Sequence, residues 1–268
     1  MMDFLQITND PVLARRCDAI PGIRLFVDLE INGKAERQAG RNTFISTHQL
    51  DDVGRIKAEL HRSQLMVRVN PLHPGTAREL DAVLAQGADL VMLPMFQAPD
   101  ELQTFSRMVA GRVPIVALLE TAGALRSLND WVDTPDLWEV FVGLNDLHLS
   151  LGCRFMFEPL AQGVVDHVAG RVRSQGLRFG FGGIARLNEG LLPGRCVLAE
   201  HVRLGSEAVI LSRTFHRGEA VESLENQIQT LRSAEEELEM RTSQQVEADQ
   251  LRAREVIEAI ALGMEHAT

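Results

Sequence analysis

Lysine is almost missing from this chain. Of 27 basic residues only Lys34 and Lys57 are lysines, so any mechanism that needs a Schiff base has two candidate amines. Cysteine is scarce as well. Cys17, Cys153 and Cys196 are odd in number and show no Cys-x-x-Cys spacing, which indicates neither a disulfide framework nor a zinc site and leaves small buried or partly buried thiols. No stretch approaches the roughly 18 to 20 apolar residues that span a bilayer, and the opening MMDFLQITND lacks a charged segment followed by an apolar one. The expectation is a cytoplasmic protein with no membrane contact. Positive charge is also short: with 37 acidic residues and a formal net charge of -10, no basic patch stands out to neutralise phosphates, which argues against a nucleic-acid partner.

What is present is an ordinary globular composition, 45% hydrophobic over 268 residues. The length suits one large α/β barrel, for which about 250 residues is typical. Strand candidates are Phe4–Thr8, Arg24–Leu29, Leu65–Val69, Asp89–Leu93, Pro114–Leu119, Leu137–Val142, Leu177–Phe181 and Glu207–Leu211. Helical signals fall between most of them. One starts at Asn9 or Asp10 before Pro11 and runs to Ala19, and others cover Asp51–His61, Thr76–Gln86, Ala122–Val132, Phe157–Gln175 and Val197–Leu204. The alternation predicts a (β/α)8 TIM barrel, an α/β fold, over residues 1–216.

The barrel is organised around Val113–Gly152. Two apolar runs there end in polar residues that a buried strand would not carry without purpose, Glu120 after the first and Asn145 with Asp146 after the second. In a parallel barrel the C-terminal strand ends open on one face, so Glu120 and Asp146 are expected to meet there. Two carboxylates at such a mouth are hard oxygen ligands for Mg²⁺, Mn²⁺ or another divalent cation. The alternative is that each caps the helix after its strand. Arg68 lies in the apolar run LMVRV, where a guanidinium faces either an anion or a neighbouring strand's carboxylate. Pro94, Met95 and Phe96 read as an apolar lip, the polar loop after Glu30 as a functional loop, and Gly182 and Gly183 as a close backbone approach or a tight turn.

Residues 217–268 change character. A charged helix-forming tract carries apolar residues at Val221, Leu224, Ile228, Leu231 and Leu238, a single stripe that needs a surface. The tract reads as a C-terminal helical extension with a polar break at Arg241–Gln250, its length suggesting a subunit contact and a homo-oligomer.

RLFVDLE, MVRVNP, GADLVMLP, LLET and VFVGLNDLHLSLG resemble, in order and spacing, the motifs of the HpcH/HpaI aldolase and citrate lyase beta-subunit family across about residues 20–216. The resemblance implies a barrel of the phosphoenolpyruvate/pyruvate-binding superfamily. Such proteins make or break carbon–carbon bonds beside a pyruvate-like or acyl-CoA enolate, usually with Mg²⁺ or another divalent ion. It implies Glu120 and Asp146 as metal ligands and Arg68 as the residue that grips the substrate carboxylate or enolate oxygen. It also implies Gly143, Leu144 and Asn145 as a turn whose backbone N–H groups hold a carboxylate. One departure bears on substrate. Pyruvate aldolases of this family carry a Glu-His pair after the second strand, whereas here Glu30 is followed by Ile31 and Asn32. The Asp28-Leu29-Glu30 run resembles the citrate lyase branch instead, which makes Asp28 and Glu30 acid/base candidates, with His48, His73 and His148 behind them.

The reading is therefore a metal-dependent carbon–carbon lyase or aldolase acting on a small oxo acid, with an acyl-CoA lyase of the citrate lyase beta or malyl-CoA lyase type as the alternative. A non-catalytic binding barrel is the third possibility, against which the intact Glu120, Asp146 and Arg68 speak. A Schiff-base aldolase is disfavoured, because Lys57 lies in a helix and Lys34 in a loop.

Overall fold

The structure, a computed structural model, describes residues 1–32, 47–216 and 223–264. Its eight strands are β1 (Asp3–Ile7), β2 (Ile23–Asp28), β3 (Leu65–Arg68), β4 (Leu90–Leu93), β5 (Ile115–Leu119), β6 (Leu137–Val142), β7 (Arg178–Ile184) and β8 (Ala208–Leu211). They follow one another around a closed barrel in sequence order, with parallel pairing at β1/β2, β2/β3, β3/β4, β4/β5 and β7/β8. Every residue of β2, β4 and β5 is buried. Parallel strands covered on both faces have no solvent side, so β4 and β5 appear in the sequence as unbroken apolar runs and β2 as one interrupted by Arg24 and ended by Asp28. The barrel expected from that alternation is the fold observed.

The chain divides into two compact units, Asp3–Phe141 and Met1–Met2 with Val142–Thr268. In the first, helix Pro11–Asp18 starts as the sequence says it should, with Pro at its opening and Asp10 accepting a hydrogen bond from the Val12 amide. Two departures concern helices. Pro99–Val109 is an amphipathic helix, with Leu102, Phe105 and Val109 buried, that the sequence reading passed over. Ala122–Val132 resolves into helices Ala122–Arg126 and Leu128–Trp131, broken at Ser127, whose hydroxyl bonds the Gly123 carbonyl at 2.9 Å.

In the second unit the single helix expected over Phe157–Gln175 is two, Glu158–Ala161 and Val164–Ser174, because Gly163 adopts φ +75° between them. The C-terminal tract forms helices Leu224–Glu239 and Ser243–Met264, so the break falls at 240–242 and residues 243–250 are helical. Val221 lies outside the described residues. The first of these helices buries Leu224, Ile228, Leu231 and Leu238 and also holds the chain's start: Met2 N donates to Glu235 Oε1 at 2.9 Å, and Arg232 Nη1 to the Met2 carbonyl at 2.6 Å. Among the described residues no helix is long and apolar enough to cross a membrane.

Two buried charges shape stability. Arg24, the second residue of β2, is 2% exposed. Its Nη1 reaches both oxygens of Glu139 at 2.8 and 3.0 Å and its Nη2 reaches Asp3 Oδ2 at 2.6 Å. Burial pulls the Arg24 pKa down, but the two carboxylates outweigh it and hold it above the ordinary value. Breaking a buried pair strands the partner's charge, a cost of about 3–5 kcal/mol. Glu139→Gln should lose that much in urea unfolding, and Arg24→Met with Glu139→Leu should recover most of it.

His201 is buried and stacked on Phe181, centroids 3.7 Å apart. Its Nδ1 lies 2.8 Å from Ser206 Oγ, which spends its own proton on the Ala208 carbonyl; Nδ1 is therefore the donor. Burial lowers the His201 pKa from 6.5 to about 3. Between those values the unfolded chain binds a proton that the folded chain refuses, so stability falls as pH drops through that window, by up to about 1.4 kcal/mol per pH unit. His201→Gln should flatten that part of the acid limb in denaturation series from pH 7 to 4.

Candidate active site

Within the first unit, β2 and β3 pair with Asp28 opposite Arg68. The Arg68 guanidinium forks onto Asp28, Nε to Oδ1 and Nη2 to Oδ2, both at 2.8 Å. Its Nη1 lies 3.4 Å from Glu30 Oε2. Asp28 also accepts the Glu30 amide at 3.2 Å, so one carboxylate orients both the arginine and the backbone that carries Glu30. Burial depresses the Arg68 pKa, but the charges of Asp28, Glu30 and Glu120 more than reverse it and the group is held above its ordinary value. The ion pair weighed for Arg68 in the sequence reading is thus present. Asp28 and Glu30 are 4% and 1% exposed.

Glu120 follows β5 directly and is 3% exposed. Its Oε1 accepts the Met95 amide at 3.0 Å, and Met95 takes φ 57°, left-handed for a residue that is not glycine. The helix that follows has a cap of its own. Thr121 supplies it, accepting from the Ala124 amide at 3.0 Å while its hydroxyl donates to the Phe96 carbonyl at 2.7 Å. Phe96 is not part of an open lip: it is 1% exposed and packs edge-on against Trp131, centroids 5.1 Å apart.

In the second unit the turn after β6 opens helix Leu144–Ser150. Gly143 is the N-cap, Leu144 is buried, and Asp146 sits in the first turn, half-buried. Negative charge is favoured there by the amide dipoles, and the N-cap residue, a glycine, brings no side chain of its own. Packing sets its position: at Gly182, φ 52°, a Cβ would stand 2.9 Å from Leu144 Cδ1. Gly182 and Gly183 are therefore no turn after β7. They lie inside it, where the pairing with β8 shifts register between Gly180 and Gly183. Gly182→Ala combines a left-handed φ with that collision and should cost about 1–2 kcal/mol in chemical unfolding, with Leu144→Ala in the same chain relieving the contact but not the backbone strain.

The lesser candidates are each engaged. His48 Nδ1 accepts the Asp28 amide at 3.0 Å, which places this imidazole against the end of β2. His73 Nε2 pairs with Glu79 at 3.0 Å, and His148 Nδ1 lies 2.9 Å from the Leu144 carbonyl. Lys57 ends helix Leu50–Lys57 with its Nζ 2.7 Å from both Asp89 oxygens; Lys34 and most of the loop after Glu30 lie outside the described residues. Sequence reasoning placed Met95 in the lip without its backbone role and gave Asn70 no role. The Asn70 Oδ1 accepts the amides of Ile31 and Asn32, both at 3.0 Å, and its own amide groups donate to Glu79 Oε1, so it anchors the backbone just after Glu30. The only sequence signal for either is its place, one or two residues past a strand. Among the described residues no three His, Cys, Asp or Glu side chains form a metal cluster. Two carboxylates are still an adequate protein donor set for Mg²⁺, which keeps waters and substrate as its other ligands.

Residues 8–156 match the HpcH/HpaI aldolase/citrate lyase family, more than half of the chain. The chain belongs to that family. Membership makes it, at family level, a lyase or aldolase of the metal-dependent kind. Solved structures agree on the fold. One is an HpcH/HpaI aldolase/citrate lyase family protein from Burkholderia cenocepacia J2315, 16% identical, TM-score 0.63, covering 88% of this chain and 94% of the other. Another is the protein CitE from Mycobacterium tuberculosis in complex with magnesium and acetate, 16% identical, TM-score 0.62, covering 95% and 96%. A third is a citrate lyase beta subunit complexed with oxaloacetate and magnesium from M. tuberculosis, 17% identical, TM-score 0.58, covering 87% and 96%. No curated protein matches the chain.

Proposed function

We propose that this protein is a divalent-metal-dependent carbon–carbon lyase or aldolase that forms or uses the enolate of pyruvate or a similar 2-oxo acid. The observation that carries the proposal is a cluster: Asp28, Glu30 and Glu120, all buried, act on the guanidinium of Arg68. Carboxylates gathered around one guanidinium at strand ends supply the hard oxygen donors that a divalent cation takes. Glu120 in the first unit and Asp146 in the second are each proposed as an oxygen donor to Mg²⁺, Mn²⁺ or another divalent ion, an assignment carried by the motif match and by the hardness of carboxylate oxygen. When bound, such an ion supplies Lewis acidity toward a 2-oxo acid.

The chain's own groups do the rest. Arg68, held in orientation by Asp28, presents positive charge where the enolate oxygen develops. Glu30 moves the proton, with Asp28 as the second candidate. The amides of Gly143, Leu144 and Asn145 hold the substrate carboxylate. Acyl-CoA lyase chemistry is the second reading, and one feature favours it: Ile31 stands where the pyruvate aldolases carry histidine.

Exchange of the pyruvate methyl protons in D₂O, followed by NMR, tests the first reading without knowledge of the second substrate. It should require Mg²⁺ or Mn²⁺ and fall by about 100-fold or more in Arg68→Ala and Asp146→Asn, both with native circular dichroism. Exchange that no metal supports would move the reading to acyl-CoA substrates, and undiminished exchange in Asp146→Asn would remove that residue from the ion.

A further inference from the structure

We infer a second ligand site, in a cleft of about 420 Å³ between helix Ser243–Met264 and the helices Glu158–Ala161, Val164–Ser174 and Gly194–Leu204, that takes a small organic cation on an aliphatic stem. All of it lies in the second unit, and it contains none of the residues assigned to the chemistry above. The central observation is Glu200, mid-way along helix Gly194–Leu204 and 2% exposed. Its Oε2 accepts Arg203 Nε at 2.9 Å and Nη2 at 2.6 Å. Its Oε1 is buried with no hydrogen-bond partner among the described residues, and Glu200 is one of the residues that line the cleft. A carboxylate oxygen removed from water and left unbonded is costly, and buried polar atoms without partners are rare enough to require an explanation.

The surroundings determine what would satisfy it. Asp166, which also lines the cleft, takes the same arginine, Oδ1 to Nη1 at 2.6 Å and Oδ2 to Nη2 at 3.1 Å. Two carboxylates thus share one guanidinium. Glu247 on the C-terminal helix adds a third, and the one basic residue lining the cleft, Arg254, is matched on its own helix by Glu258 at 2.8 Å. The local field is negative, and an anionic ligand is unfavourable there. The remaining wall mixes Gln162 and Gln250 with an apolar part, in which Leu160 and Ile257 are buried and Leu251 is 58% exposed. A donor for Glu200 Oε1, a positive charge for the carboxylates and a short hydrocarbon for Leu160, Leu251 and Ile257 together describe a primary ammonium or guanidinium on a stem of a few carbons.

The test is a ligand-observed NMR titration of the full chain with butylammonium and butylguanidinium chloride, and with 1-pentanol as a neutral counterpart. The cations should saturate one site per chain and the alcohol should not. Glu200→Gln should weaken cation binding at least about tenfold, the loss of roughly one charge-assisted hydrogen bond. Leu251→Lys, a change at an exposed position, should supply its own ammonium and abolish binding while leaving Glu200 in place and the melting temperature unchanged or raised, so the result does not depend on how Glu200→Gln folds. Failure of both cations to bind the wild-type chain, or equal binding to wild type and to a folded Glu200→Gln, would overturn the site.

Discussion

The fork between Arg68 and Asp28 is the interaction on which the candidate site depends. Two strands in register bring the pair together, and what gathers around it is otherwise repulsive: Glu30 on the same guanidinium and Glu120 close enough to raise its pKa. Like charges at such burial are tolerated only while a positive centre sits among them. Asp28 accordingly does more than balance Arg68. By accepting the Glu30 amide as well, it fixes the backbone where the strand ends and the acid/base candidate begins, and Asn70 fixes the next two residues from the far side.

This division of work is common in enzymes, where the groups that react are few and the groups that hold them are many. Met95 is the plainest example. Its backbone adopts a conformation that a residue with a side chain rarely takes, and its amide donates to Glu120. Thr121, the next residue after Glu120, caps the helix that follows. An uncommon backbone conformation at Met95 and a cap beside Glu120 thus flank the carboxylate where the strand ends.

Most of the barrel was legible because buried parallel strands cannot hide their composition: all eight appeared as apolar runs, within a residue or two of their observed ends except at the far end of β7. That strand runs on to Ile184 through a bulge that its glycines permit, and pairing beyond a glycine pair leaves no trace in a pattern of polarity. Helix Pro99–Val109 was overlooked although Pro99, Asp100 and Glu101 at its start are ordinary opening signals. The breaks at Ser127 and Gly163 were lost because the apolar period continues across them. In the site, residue types at strand ends could be read directly, since Glu, Asp and Arg are conspicuous beside Val and Leu. Their partners could not, because the contact between Arg68 and Asp28 spans 40 positions and depends on register.

The bond between Arg24 and Glu139 joins residues 115 positions apart. A contact of that span cannot form until the chain between its ends has been brought into line, and the entropy of closing so long a loop must be met by other contacts first. It therefore belongs to the late part of folding, and interactions made late act mainly on the rate at which the native state opens. Measured against an apolar replacement the pair adds little to equilibrium stability, given its desolvation, but as a latch it lengthens the lifetime of the closed unit.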